Sequence, residues 1–329
     1  MKILIRLPNW LGDFVMSFAF LKKVKEAFEG YDIFAISKPQ FSPLLNFVGR
    51  FNVFHFSKEM YKGFKGLFDF SLSIRGDYQY YFSLPDSLSS ALMGFLSGAK
   101  RRIGYSSEFR DLLLTDVLKK PKVLHRVEEY AYLLKDFLKE PLKDLDTSIS
   151  VEPDLEIQSL KGLKVAININ SEAQSRRMSV EKWARVVNLL IKRVDPYIIL
   201  TGTKKDTERV KKLIGMIDND KKVINLCGKT DILGLARVLK AVDITITVDS
   251  GPAHLSNSVG TPTLVLFGAG NEKNTSPYLK KDLKILRLKN LECAPCLKNR
   301  CKYGEPICLN RLDEGIIVED ALALLQKYP

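Results

Sequence analysis

Short apolar runs alternate with amphipathic stretches along almost the whole chain. Strand-like runs fall at 2–7, 31–37, 51–56, 69–74 and 101–105, with helical patterns between them at 14–28 and 41–48. The stretch 123–139 carries Val127, Tyr130, Ala131, Leu134 and Phe137/Leu138 on one stripe, the spacing of a helix packed on one side. From 139 to 163 the pattern lapses into two prolines and several acidic residues, which reads as a connection. It restarts with strands at 164–170, 197–201, 223–226, 243–248, 261–267 and 283–288. Helices are expected between them at 180–194, 204–217, 232–240 and 253–260, and a last one at 314–328 with Ile317, Ala321, Leu324 and Leu325 on one side. Strands that are apolar on both faces and separated by helices predict parallel sheets covered on both sides. The fold class is therefore α/β, with a first α/β domain at 1–155, a second at 156–313 and a terminal helix at 314–329.

Composition narrows this picture only modestly. The 329 residues are 46% hydrophobic, enough for two cores, and no apolar run reaches the length of a membrane span. The chain enters a strand at once, with no export-signal pattern, so a cytoplasmic location is expected. The net charge of +13 is uneven: residues 1–155 hold 22 Lys/Arg against 19 Asp/Glu, residues 156–329 hold 29 against 19. A basic second half suits a nucleotide or another anion, and equally suits solubility. With no Arg-rich arm and no nucleic-acid module, no nucleic-acid partner is expected. Nor does any feature call for an obligate protein partner.

Two strand-to-helix junctions carry candidate chemistry. In Arg6-Leu-Pro-Asn-Trp-Leu-Gly-Asp13, the carboxylate of Asp13 opens a densely apolar helix, where it is either a helix-start acid or a general base. In Asp249-Ser-Gly-Pro-Ala-His254, the Ser250 hydroxyl and free amides can meet phosphate oxygens, Gly251 permits close approach, and Pro252 suits a helix start. Asp249 would orient that loop or accept from a sugar hydroxyl, and His254 sits on the first helical turn. Arg176-Arg177, after the polar loop 168–175, can stabilise a leaving diphosphate or form a solvated basic turn. Thr201 ends a strand that can border the nucleotide. Cys293, Cys296, Cys301 and Cys308 are spaced C-x2-C-x4-C-x6-C, which suits either a structural zinc or unligated thiols.

These motifs resemble those of the bacterial ADP-heptose:lipopolysaccharide heptosyltransferases, glycosyltransferase family 9, most closely the members that add the second inner-core heptose. The likeness rests on Pro8–Met16 and Asp249–His254, with support from Gly260–Gly268 and the cysteine spacing, and it runs through essentially the whole chain. It implies a GT-B architecture, two Rossmann-like domains with the active site in the cleft between them. The first domain would take a lipid A-core acceptor and the second ADP-heptose, with the terminal helix packing back on the first. It implies inverting transfer with no cofactor required, Asp13 as base, Arg176 and Arg177 on donor phosphate, and Asp249, Ser250, Gly251 and His254 in the donor loop. It also implies peripheral contact with the inner face of the inner membrane. The chain departs from the family pattern at Asn170-Ser-Glu-Ala, where Pro-Gly-Ala is common, and at Arg176-Arg177-Met178-Ser179, where Lys-Arg-Trp-Pro is frequent.

Competing readings are a first-heptose transferase, another GT-B glycosyltransferase, or a nucleotide-sugar epimerase. A dinucleotide dehydrogenase is disfavoured because neither domain opens with Gly-X-Gly-X-X-Gly. Leu88, Ala91, Leu92 and Phe95 are read as an ordinary buried helix face, the alternative being contact with the lipid-linked substrate.

Overall fold

A computed structural model describes residues 1–326, without the Glu108 side chain, and divides the chain into two compact units, Met1–Thr147 and from Ser148 onward. The first unit runs β1 (Lys2–Arg6), α1 (Leu11–Met16), α2 (Phe18–Ala27), β2 (Asp32–Ser37), β3 (Asn52–His55), α3 (Gly63–Ser73), β4 (Tyr78–Ser83), α4 (Leu88–Leu96), β5 (Arg101–Tyr105), β6 (Asp116–Leu118) and α5 (Arg126–Tyr132). Its six strands pair in parallel in the order β3-β2-β1-β4-β5-β6. The central β1 buries Ile3, Leu4 and Ile5 completely, as a strand covered on both faces must.

Several elements differ from the sequence reading for local reasons. The expected helix at 14–28 is two helices, broken at Ser17, whose hydroxyl donates back to the Phe14 carbonyl at 2.6 Å. The 41–48 segment is a 3-10 turn over Ser42–Phe47, and 123–139 keeps regular α-helix only in α5. The strand expected at 69–74 is the end of α3. Its alternation of Phe70, Leu72 and Ile74 mimics a strand, but Leu67, Phe70, Ser71 and Ile74 together form a buried helical stripe. The true strand is β4, Tyr-Gln-Tyr-Tyr-Phe-Ser, whose aromatics read as neither period. The reading of Leu88 and Phe95 as a buried helix face is corrected too: the inward face of α4 is made of the smaller Ser90, Ala91 and Gly94 together with Met93, and the larger side chains are turned out.

The second unit runs α6 (Leu155–Ser159), β7 (Lys164–Asn168), α7 (Val180–Val194), β8 (Tyr197–Leu200), α8 (Thr207–Ile214), β9 (Val223–Asn225), α9 (Ile232–Ala241), β10 (Ile244–Val248), α10 (Gly251–Ser258), β11 (Thr263–Phe267), α11 (Glu272–Thr275), β12 (Leu283–Arg287), α12 (Ile307–Asn310) and α13 (Glu314–Leu325). Its parallel order is β12-β11-β10-β7-β8-β9. The core joins Trp183, Val186 and Leu190 of α7 to Ile317, Val318, Ala321 and Leu324 of α13.

The apolar stripe of α13 is buried within the second unit, against α7 and the strands β10–β12. Glu314 fixes the start of the helix through Lys182 at 2.9 Å and Arg185 at 2.6 Å. Residues 327–329 of the expected segment lie outside the described residues.

Candidate active site

Each sheet reverses its direction of growth once, and the candidate residues gather at the reversal. In the first unit the chain builds β1, β2 and β3 outward, then returns to the other side of β1 for β4, β5 and β6. Open parallel sheets bind ligands beyond the carboxyl ends of strands at such a switch point. Arg6 pairs with Ser83, so β1 and β4 end level. Buried Arg6 donates to the Leu7 carbonyl at 2.6 Å, the Ile36 carbonyl at 3.2 Å and Asn9 Oδ1 at 2.6 Å, fixing the loop that delivers α1. Burial brings its pKa down to about 10, so it stays charged at neutral pH.

Asp13 lies in the first turn of α1, half-buried. The Tyr130 hydroxyl donates to its Oδ1 at 3.4 Å from α5. Burial, and then the Asp13 charge, hold the Tyr130 phenol well above its ordinary value, so it remains a neutral donor. One helical turn earlier on the same helix, Arg126 meets opposing influences. Burial disfavours its charge, while Tyr130, Glu129, Asp13 and Asp86 favour it strongly enough to raise its pKa. A chain of ion pairs extends from there: Arg126–Glu129 at 3.2 Å, Glu129–Lys120 at 3.3 Å, Lys120–Asp86 at 2.8 Å and Asp86–Arg110 at 3.6 Å. Helix α5 starts where it does because of a capping box, with the His125 amide donating to Glu128 at 2.8 Å and the His125 ring accepting from the Val127 amide. Trp10, exposed at the N-cap of α1, has the Lys38 ammonium 5.6 Å from its ring centre.

The second switch point lies between β7 and β10, and there the loop 168–177 and the start of α10 are bonded together. Asn168 and Thr247 are register partners, and the Asn168 amide donates to Thr247 Oγ1 at 3.3 Å and Ser250 Oγ at 3.1 Å. Ser171 donates to the Asp249 carbonyl at 3.2 Å, and Arg177 donates to the Ser171 carbonyl. Arg176 pairs with buried Asp249 at 3.1 Å while keeping part of its own side chain exposed. Ser250 is the N-cap of α10 but makes no side-chain cap bond, and Pro252 lies in the first turn. Pro252 has no N–H and the Ala253 amide donates to the Ser250 carbonyl at 3.1 Å, which leaves the Gly251 amide and the Arg176 guanidinium as donors suited to an anion.

Of the residues singled out in the sequence, Asp13 lies at the first switch point, and Arg176, Asp249, Ser250 and Gly251 come together at the second; Arg126, Tyr130, Asn168 and Gly270, not singled out there, adjoin them. A Cβ at Gly270 would lie 2.1 Å from Asp249 Oδ2, so the chain passes there only as glycine. His254 and Thr201 are both buried. Among the described residues the Thr201 hydroxyl and the buried Asn170 amide have no hydrogen-bond partner. The four clustered cysteines are free thiols, and Cys308 is drawn into the core, against the backbone of Gly268. Burial, and then the other three thiols, push Cys308 up to about 11. Among the described residues no group of three or more His, Cys, Asp or Glu converges as a metal site.

The model of glycosyltransferase family 9 (heptosyltransferase) matches residues 69–306. The lipooligosaccharide heptosyltransferase 2 of Campylobacter jejuni is 28% identical over 99% of both chains. The solved ADP-heptose LPS heptosyltransferase II of Escherichia coli superposes with a TM-score of 0.83 at 23% identity, covering 99% of each chain. A family 9 glycosyl transferase from Veillonella parvula gives 0.84 at 20% identity over 99% of this chain and 97% of that one. These matches and the two parallel sheets flanked by helices establish the GT-B class of fold.

Proposed function

The chain belongs to glycosyltransferase family 9, the heptosyltransferases, and from that premise we propose that it transfers L-glycero-D-manno-heptose from ADP-heptose to heptosyl-Kdo2-lipid A, with inversion and without a catalytic metal. The solved relative from Escherichia coli, named for ADP-heptose and LPS, supports the donor. The heptosyltransferase 2 relatives of Campylobacter jejuni support the second-heptose acceptor.

The observation that supports the reading is a pair of carboxylates at the two switch points, half-buried Asp13 met by Tyr130 and buried Asp249 paired with Arg176. Half-buried Asp13 takes the proton of the acceptor hydroxyl. The hydroxyl oxygen bonds to the anomeric carbon as the bond from that carbon to the diphosphate oxygen breaks, and ADP leaves with the electron pair. One displacement inverts the centre. Tyr130 and Arg126 orient the carboxylate and hold it ionised before the proton arrives. Arg176 and the Gly251 amide at the start of α10 stabilise charge gathering on the departing diphosphate, while Asp249 holds Arg176 in place. Arg177 braces the loop through Ser171, and His254 and Thr201 underlie the donor.

Purified protein is incubated with ADP-heptose and heptosyl-Kdo2-lipid A in EDTA, following ADP release and acceptor mass. A gain of one heptose, lost in Asp13→Asn, supports the reading. A gain only on Kdo2-lipid A reassigns the enzyme to the first heptose. Failure to bind ADP-heptose at all overturns it.

A further inference from the structure

Trp10 occupies a position that local structure does not explain. It is the N-cap of α1, with extended backbone and no side-chain cap bond. That position favours Ser, Thr, Asp or Asn, whose oxygens bond the exposed amides of the first turn. An indole has no acceptor to offer there. Nor does it serve the core, since 60% of Trp10 is exposed. Tryptophan is on average a highly buried residue, and the other one in this chain, Trp183, is fully buried on α7.

The backbone beneath Trp10 is firmly held. Arg6 ties the loop to Asn9 and to the Ile36 carbonyl, which also accepts from the Leu7 amide at 3.0 Å. The Trp10 carbonyl accepts from the Phe14 amide at 2.8 Å, closing the turn that carries Asp13. An aromatic face displayed on a fixed backbone can take a ligand with little ordering cost.

Lys38 supplies a charge beside that face. It follows β2, whose Ile36 pairs with Arg6, so it stands at the same carboxyl edge of the sheet. Its carbonyl accepts from the Phe41 and Ser42 amides at 3.1 and 3.2 Å, which fixes the turn. Phe41 is in turn buried against Phe14, their ring centres 5.5 Å apart. The Lys38 ammonium lies 5.6 Å from the centre of the Trp10 ring and 6.0 Å from that of Phe41, and among the described residues it pairs with no carboxylate. A cation held by ring faces keeps its charge for a further partner.

An indole face beside an ammonium suits a ring with an apolar face and an acidic group on its rim. A pyranose has that form, with C–H groups above and below and polar substituents around the edge. We propose that Trp10 and Lys38 form a subsite for an acidic sugar ring of the acceptor. The indole covers the C–H face of the ring, and the ammonium meets its carboxylate or phosphate. The proposal rests on the reading of Asp13 as the base. Trp10 opens the helical turn that carries Asp13, so the ring held here adjoins the hydroxyl that loses its proton. The two residues thereby select acceptors that bear an acid next to the reacting sugar.

With two tryptophans and one of them buried in the core of the second unit, indole emission reports on Trp10. Lipid-free heptosyl-Kdo, its carboxyl-reduced analogue and a hexose phosphate are titrated into the full chain, with Kd read by calorimetry. Heptosyl-Kdo is expected to shift the emission of wild type but not of Trp10→Phe, and the reduced analogue to bind about tenfold more weakly. Lys38→Gln should bind the acid and its reduced analogue alike. Trp10→Ala should weaken heptosyl-Kdo about tenfold at an unchanged melting temperature, with Trp10→Phe recovering most of the loss. A hexose phosphate that binds as tightly as heptosyl-Kdo assigns the ammonium to phosphate, and one that binds weakly assigns it to carboxylate. Three results overturn the proposal: Trp10→Ala that binds heptosyl-Kdo like wild type, Lys38→Gln that still prefers the acid, or ADP that displaces heptosyl-Kdo from Trp10. Heptose transfer with an unchanged acceptor KM in Trp10→Ala removes the subsite and leaves the activity standing. An emission shift with heptosyl-Kdo in a protein that does not bind ADP-heptose removes the activity and leaves the subsite.

Discussion

Asp13 and Asp249 both lie beside a switch point, Asp13 in the helix that follows β1, the first strand of its unit, and Asp249 directly after β10, the fourth strand of its own. Their surroundings differ sharply. Asp13 is half-buried and is met by a phenol that donates without carrying charge. Asp249 is buried, tied by Arg176 and pressed by the backbone at Gly270. A carboxylate that must change protonation needs access and only modest restraint, whereas one that holds an arginine in place needs the reverse. On the proposed reading, the same residue type beside two switch points serves as a reagent in one unit and a strut in the other because its neighbours differ.

The sharpest way to break this contrast is to neutralise both carboxylates. Asp13→Asn should cost about 10³-fold in kcat while leaving the Kd for ADP, read by calorimetry, within about twofold. Asp249→Asn should weaken ADP binding and lower the melting temperature, because an arginine loses its partner. If Asp13→Asn instead weakens ADP binding and spares turnover, the assignment of roles is reversed. Next in size, Arg176→Ala should reduce kcat by about 10²-fold, with the loss shrinking for a donor whose leaving group needs less charge stabilisation.

A smaller effect sharpens the first half of the comparison. Tyr130→Phe removes a donor to Asp13 and should lower kcat/KM several-fold. Losing a hydrogen bond to the ionised form makes that form less favourable, so the acid limb of the pH profile should move to higher pH. A profile of unchanged shape with uniformly lower activity would make Tyr130 mere packing.

The smallest effect concerns stability of the second unit. Burial alone would raise the Glu314 carboxyl, but Arg185 and Lys182 bring it down to about 2. A depressed folded-state value stabilises above the unfolded-state pKa, near 4.5, and that contribution is lost as pH falls through about 2. Melting curves of wild type and Glu314→Gln should therefore differ near neutrality and converge between pH 4.5 and 2. A constant difference across that window would remove the ion pair as the cause.

What the sequence disclosed follows from how local each signal is. Asp13 and Asp249 were legible because strand, turn and helix start lie within a few consecutive residues, with Gly12, Gly251 and Pro252 marking the turns. Tyr130 was legible only as part of an apolar stripe, since its contact with Asp13 spans 117 positions of chain. Gly270 looked like any loop glycine until Asp249 was found against it. The error at 69–74 had the opposite origin: a local alternation was real but subordinate to packing, which used Leu67, Phe70 and Ile74 on one side of a helix. The apolar stripe of the terminal helix was legible in its spacing, while its partner α7 is remote in the chain.

That last helix also bears on how the protein is made. All six strands of the first unit have been synthesised by residue 118, and its contacts close by residue 147. The second unit cannot seal its core until α13 arrives to cover α7, which began at Val180. Domains generally fold as units, the earlier one first, and widely separated pairings come slowly. During translation the half carrying Asp13 can therefore be native while the half carrying Asp249 still has an open core, and that later half is where a chaperone would have the most to hold.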